Sequence, residues 1–325
     1  MYIDVHAHHL PARYMDMLRA GGGPTFGVAH DDATLSKMIE GQDEIGIRLQ
    51  ILSTSANSPY LRDPGLADAA AREVNDAYKM VVDRYDGRFA AFGSVPLPHA
   101  GAAAAEAVRC LDELDFAGIH FGCSALGYSL DDPRFSEMWA ELDRREAIIY
   151  VHPGGILCGT EPGLAGMEDA GIAVTIGSAA ELATATLRLA ALCRTHRRLH
   201  VIIGLLGGSL PFLLQRVVWL GNRFKGQSLL AAEGQDEPLV AELRRFSYDT
   251  NLLPDPAILA SAREAYGIDR LVFGSDAPSF APTVTARFMR DGGLSEQEIG
   301  EILGENCTKL FGERLPGSRA PSQIS

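Results

Sequence analysis

Short apolar runs alternate with longer stretches in which apolar residues return every three or four positions, and this alternation continues along nearly the whole chain. An apolar run of four to eight residues reads as a buried strand, and the 3.6-residue period as a helix laid against it. Strands are predicted at Tyr2–Val5, Gly46–Ser53, Arg88–Val95, Ala117–Phe121, Ala147–His152, Leu199–Gly204, Arg244–Thr250 and Arg270–Ser275. Helices are predicted at Leu10–Arg19, Thr34–Glu44, Leu66–Tyr85, Ala102–Leu114, Pro133–Arg145, Ser178–His196, Pro211–Phe224, Pro256–Tyr266 and Ser295–Phe311. The Gly-rich stretch 154–177 is expected to be a long loop that acts as a lid or carries an interface. Repeated strand–helix units imply parallel strands joined by right-handed crossovers. Eight of them predict an α/β fold of the (β/α)8 TIM-barrel type, with an open doubly wound sheet as the alternative. The barrel is expected to be one domain over residues 1–312, followed by a frayed tail over 313–325.

Charge and composition narrow the partners. The 42 acidic residues outnumber the 29 basic ones, and the net charge of −13 argues against nucleic acid and anionic membranes as partners. A small-molecule substrate is the expectation. No apolar run is long enough to predict a membrane-spanning helix, and the first residues lack a basic-then-apolar signal pattern. The five cysteines are scattered and form no CxxC pair, which predicts neither a disulfide framework nor a zinc ribbon. A cytoplasmic, soluble enzyme is the reading.

The candidate chemistry lies at strand ends. Met1-Tyr-Ile-Asp-Val-His-Ala-His-His9 closes the first strand with His6 and His8, two residues apart and therefore on one face. His152 closes the fifth strand in Ile148-Ile-Tyr-Val-His-Pro-Gly154, and Asp276 the eighth in Leu271-Val-Phe-Gly-Ser-Asp-Ala-Pro278. In a parallel barrel these ends carry the active site. Three imidazoles and one carboxylate suit one divalent ion, Zn²⁺ first and Mn²⁺ or Fe²⁺ next, with room left for a substrate. Taken singly, His152 reads as a core histidine and Asp276 as a helix N-cap. His120 ends the fourth strand as a candidate acid–base or a plain hydrogen-bonded residue. Asp249 ends the seventh as an outer-shell carboxylate or a strand-end hydrogen bond. Cys123 and Cys158 read as small-residue packing, and Arg48 as structural.

The motifs Ile3-Asp-Val-His-Ala-His-His-Leu-Pro11, Val151-His-Pro153, Gly207-Gly208 before Pro211, Tyr248-Asp-Thr250 and Phe273-Gly-Ser-Asp276 resemble the amidohydrolase superfamily. Within it they are similar to the branch of aminocarboxymuconate-semialdehyde, 6-methylsalicylate and γ-resorcylate decarboxylases. The resemblance covers about residues 2–312. It implies a metal-dependent barrel whose ligands are His6, His8, His152 and Asp276. It also implies a homodimer and non-oxidative decarboxylation of an aromatic or enolic acid, with Asp276 relaying a proton. A minority of the family hydrolyses or hydrates, and a cyclisation or dehydration in secondary metabolism is a further alternative. The family's strand-six acid–base His, in a His-x-Gly-Gly motif, is replaced in Gly204-Leu-Leu-Gly-Gly208 by Leu205. The family's substrate-carboxylate Arg aligns near His30. Either His120 or His30 is therefore expected to carry the proton that the missing imidazole does not, or the reaction relies on the metal as a Lewis acid alone.

Overall fold

The computed structural model describes residues 1–154, 170–224, 238–251 and 256–315. Among the described residues, eight parallel strands form one sheet in chain order: β1 Tyr2–His8, β2 Ile47–Ser53, β3 Phe89–Ser94, β4 Gly118–Gly122, β5 Ile148–His152, β6 His200–Ile203, β7 Ser247–Asp249 and β8 Leu271–Val272. Backbone bonds then tie the eighth to the first: Val5 N to Phe273 O at 2.9 Å, Asp276 N to His6 O at 2.7 Å and His8 N to Ala277 O at 2.7 Å. The sheet thus closes into a (β/α)8 barrel, as the repeating pattern predicts.

Two apolar layers follow from that closure. The inner one fills the barrel with Ile3, Val5, Ile51, Phe92, Ile148 and Ile202, and Cys307 and Phe311 of the last helix pack against it. The outer one packs alternate strand residues such as Leu52, Ile119, Val151 and Ile203 against the helices. β1 departs from simple alternation. Strict period two would put Ile3, Val5 and Ala7 on one face and Asp4, His6 and His8 on the other. The pairing of β1 with β2 instead shifts register between Asp4 and Ala7. Ile3 and Val5 stay in the inner layer, Ala7 joins the outer one, and His6 and His8 turn inward. A bulge of this kind re-aims side chains. Asp4 holds it, fully buried, and accepts from His6 N at 3.1 Å, Ser275 N at 3.0 Å and Gln50 Nε2 at 2.9 Å. Burial pushes the Asp4 carboxyl up to about 6 although these donors pull it down.

Several predicted boundaries need correction. The helix after β5 starts at Ala170, not Ser178, so the expected 154–177 loop ends in helix; its glycines disguise an otherwise apolar run. Residues 155–169, with Cys158, lie outside the described residues. A short helix, Pro238–Leu243, and another, Pro282–Asp291, are additional to the predicted set. β7 begins at Ser247, three residues later than expected, because Arg244 completes the turn leaving the short helix.

Candidate metal centre

The apolar body of each strand anchors it in the barrel, and the polar residue at its carboxyl end is delivered to the mouth. His6, His8 and His152 meet there, each offering a nitrogen, with the three nitrogens within 4.8 Å of one another. His6 Nε2 lies 3.0 Å from His8 Nε2. Asp276 joins them, its Oδ1 3.0 Å from His8 Nε2 and 3.8 Å from His6 Nε2. Donors about 2.1 Å from one ion at tetrahedral angles stand about 3.4 Å apart, a spacing with which these separations are compatible.

The outer hydrogen bonds decide which nitrogens carry protons. His152 Nδ1 lies 2.7 Å from the Pro153 carbonyl, which only accepts, so Nδ1 holds the hydrogen. His6 Nδ1 lies 3.0 Å from Asp249 Oδ2 and donates in the same way. His8 Nδ1 lies 3.0 Å from Ser53 Oγ. With Nδ1 protonated, Nε2 of His6 and His152 is a bare lone pair, and it faces a carboxylate and another imidazole. This is the arrangement of a carboxylate–histidine–metal site, and the chemistry of the donor set fits a divalent cation. Burial lowers the His152 pKa far below its ordinary value, and its imidazole neighbours add to the effect. Burial likewise lowers that of His8. Burial opposes charge on His6 too, but the carboxylates of Asp249, Asp276 and Asp4 outweigh it and raise its pKa. Asp276 is held below the usual range: burial raises it, and His8 and His6 lower it further.

Asp249 is the hub of the second layer. Fully buried, it accepts from His6 Nδ1, from Tyr150 Oη at 3.1 Å, from Leu205 N at 3.0 Å and from Asn251 N at 3.1 Å. It reaches His6 because Gly274 leaves the space. A Cβ on Gly274 would meet His6 Cβ at 2.8 Å and Asp249 Cβ at 2.9 Å. The outer-shell reading of Asp249 thus describes its contacts. The single-residue alternative for Asp276 does not hold, since the next helix begins at Pro282 with Ala281 before it. Asp276 instead takes a left-handed φ of 65°, a region Asp tolerates better than most.

The other candidates separate. His120 sits at the end of β4, buried, its ring centroid 6.1 Å from that of His152. Its Nδ1 lies 3.2 Å from Thr54 Oγ1, and its buried Nε2 has no hydrogen-bond partner. His30 is outside the cluster. Its Nδ1 accepts from Leu10 N at 3.1 Å and its N donates to Leu10 O at 2.8 Å, so its ring pins the segment that leaves β1. Leu205 stands at the end of β6, where it and Leu206 adopt left-handed φ of 48° and 52°. Such strain costs about 1–3 kcal/mol per residue and collects at functional sites. Cys123 is buried packing, and Arg48 is exposed beside Gly87. Tyr150, Thr54, Ser94 and Gly274 were not singled out in the sequence. Tyr150 and Gly274 each lie two residues before a candidate ligand, and this spacing, which shares a strand face, is the signal that points to them.

A barrel with this cage at its mouth is the scaffold of a metal-dependent enzyme. The Amidohydrolase family model matches residues 3–312, and the chain belongs to that family. It is 29% identical to the 6-methylsalicylic acid decarboxylase of Aspergillus aculeatus, over 96% of each chain. It is 31% identical to a γ-resorcylate decarboxylase of Rhizobium radiobacter, over 83% of this chain and 84% of that one. In fold it resembles the dihydroxybenzoic acid decarboxylase of Polaromonas sp., solved with manganese and 2-nitroresorcinol, with a TM-score of 0.80 at 22% identity over 98% of each chain. No helix among the described residues is long and apolar enough to cross a membrane.

Proposed function

We propose that this protein is a metal-dependent carboxy-lyase that removes CO₂ from an aromatic acid without an oxidant. The observation that carries the reading is the convergence of His6, His8, His152 and Asp276, with Nδ1 of His6 and His152 committed to acceptors, in a family whose similar members are aromatic-acid decarboxylases. The donors suit Zn²⁺ and equally Mn²⁺, the ion in the Polaromonas structure. A divalent ion held by His6, His8, His152 and Asp276 would supply Lewis acidity to a bound acid.

The chain's own residues do the rest. Asp276 is the most open of the four, its side chain 18% exposed, and faces the mouth as a carboxylate. It takes the proton of the substrate hydroxyl and gives it to the ring carbon. The bond to the carboxylate breaks, its electron pair stays with that carbon, and CO₂ departs. Leu205 supplies an apolar wall for the ring and no proton. His30, bound to Leu10, holds the mouth in shape in this reading. Water addition or isomerisation at the same cage is the second reading, which the exchange of the family His for Leu205 favours.

The protein is proposed to work as a cytoplasmic homodimer. Supporting this are exposed Val174, Ile176, Phe212 and Trp219 on the neighbouring helices Ala170–Leu192 and Leu210–Phe224, and the free, buried thiols of Cys110, Cys123, Cys193 and Cys307. The test of function is turnover of salicylate, 6-methylsalicylate and 2,6-dihydroxybenzoate in D₂O by the metal-loaded enzyme. CO₂ and one deuterium at the vacated carbon are expected. A product carrying added water, or an isomer of the acid, would transfer the function to the second reading.

A further inference from the structure

His120 is 1% exposed, is inward-facing beside Tyr150, and leaves Nε2 without a partner at the edge of the cage. A buried imidazole nitrogen with nothing to bond is costly unless a ligand completes it. Which form it presents follows from the hydrogens behind it. Ser94 Oγ lies 3.2 Å from Thr54 Oγ1, and Thr54 Oγ1 lies 3.2 Å from His120 Nδ1. Thr54 also bonds the Tyr14 phenol, whose own hydrogen goes to the Asn57 carbonyl. If Ser94 donates to Thr54 and Thr54 donates to His120 Nδ1, the imidazole hydrogen sits on Nε2. If Thr54 donates to the Tyr14 oxygen instead, the hydrogen sits on Nδ1 and Nε2 is a bare acceptor. Ser94 is itself fixed: its N donates to Asn75 Oδ1 and its O accepts from Asn75 Nδ2, both at 2.8 Å, and Asn75 also donates to the buried Glu106 at 2.8 Å.

We propose that the Ser94–Thr54 pair locks His120 as the neutral Nε2–H tautomer, making it a fixed hydrogen-bond donor for the carboxylate of the substrate. His120 then serves to bind and orient the acid and does not shuttle a proton. The subsite selects for acids that present a carboxylate oxygen toward β4 while the remainder of the ring lies on the Leu205 side. The carboxylate assignment rests on the decarboxylase reading; the tautomer does not.

Two measurements test it on the metal-loaded, full-length protein. Long-range ¹H–¹⁵N correlation on histidine-labelled enzyme, with His120→Gln used for assignment, reports the tautomer. The Nε2–H pattern at neutral pH is expected, converting to a mixture in Thr54→Val and returning in Thr54→Ser. An Nδ1–H ring or an imidazolium in the unsubstituted enzyme overturns the proposal. Binding of salicylate and of phenol is then compared in unsubstituted enzyme and in His120→Phe. A hydrogen bond to a charged group is worth about 1.5–3 kcal/mol, so salicylate should weaken roughly 10- to 100-fold while phenol stays within about twofold. An equal loss for both ligands, or no binding of salicylate to the unsubstituted enzyme, removes the carboxylate subsite. If both measurements come out as expected while no acid loses CO₂, the decarboxylase reading has failed and the His120 proposal stands.

Discussion

Two sets of residues alternate round the barrel mouth and are built on opposite terms. In the first, the cage and Asp249, the outer nitrogens of the imidazoles and all of the Asp249 contacts are committed before any ligand arrives. In the second, His120 keeps an unpartnered Nε2 and the Leu205 side chain offers only carbon on a left-handed backbone. Preorganised groups hold a charge without reorganising, which is where an electrophilic ion belongs. An uncommitted donor beside an apolar face suits the part of the site that must accept and release an organic molecule. Charge is therefore fixed by the first set and recognition is left open to the second.

Removing a cage ligand is the hardest test of that contrast. His8→Ala and His152→Ala are expected to lower bound metal below about one-tenth of an ion per chain and to cut turnover roughly 10³-fold or more, since the ion contributes several kcal/mol. Full metal content in both, read by elemental analysis, would dissolve the distinction between the two sets. Asp249→Asn keeps an acceptor for Leu205 N and Asn251 N but loses the charge beside His6. Metal affinity should fall about 10- to 100-fold, the usual range for an outer-shell partner, with an unchanged circular dichroism spectrum. An unchanged affinity would show that the second layer around Asp249 is only structural.

Leu205→His sharpens the comparison from the open set. If Asp276 already supplies the proton, an added imidazole should change kcat by less than about tenfold. A gain of a hundredfold or more, the scale of general acid–base help, would show that the open set limits the rate. The dimer proposal predicts a light-scattering mass about twice 34.9 kDa at micromolar concentration. Phe212→Glu, at a side chain whose residue is 84% exposed, should shift it toward the single-chain value.

The smallest expected effect lies at the far end of β6. Burial lowers the pKa of the half-buried His200, with Arg314 next in importance. Its folded value lies below its unfolded value, so its share of stability is present above about pH 6.5 and is lost as pH falls below that. His200→Gln should flatten the fall in denaturation midpoint there by no more than about 0.5 kcal/mol equivalent, because the ring is screened. A steeper fall in the variant would reverse the assigned sign.

What the sequence discloses follows from what each residue must do locally. Apolar runs that end in His152 or Asp276 betray both the strand and its functional end once they are taken together with His6 and His8, although each alone has an ordinary structural reading. The bulge at Asp4 is hidden. Its effect is to break the alternation from which it would have to be read, and the donors that hold it come from Ser275 and Gln50, distant in sequence. Gly274 looks like an ordinary strand glycine until Asp249 and His6 are seen to fill the place of its side chain. Thr54 and Ser94 carry no motif; they matter only because β2, β3 and β4 lie side by side. The start of the helix at Ala170 is obscured by Gly171 and Gly177, whose low helix propensity is overridden by packing.

The central claim is that the cage of His6, His8, His152 and Asp276 makes this chain a metal-dependent decarboxylase. The direct test is CO₂ release from a 2-hydroxylated aromatic acid by one preparation, followed as its ion is removed by chelation and restored with Mn²⁺ or Zn²⁺. The rate should fall in proportion to occupancy, vanish with it, and return as one equivalent per chain is added. Decarboxylation that continues undiminished in the stripped protein would contradict the account.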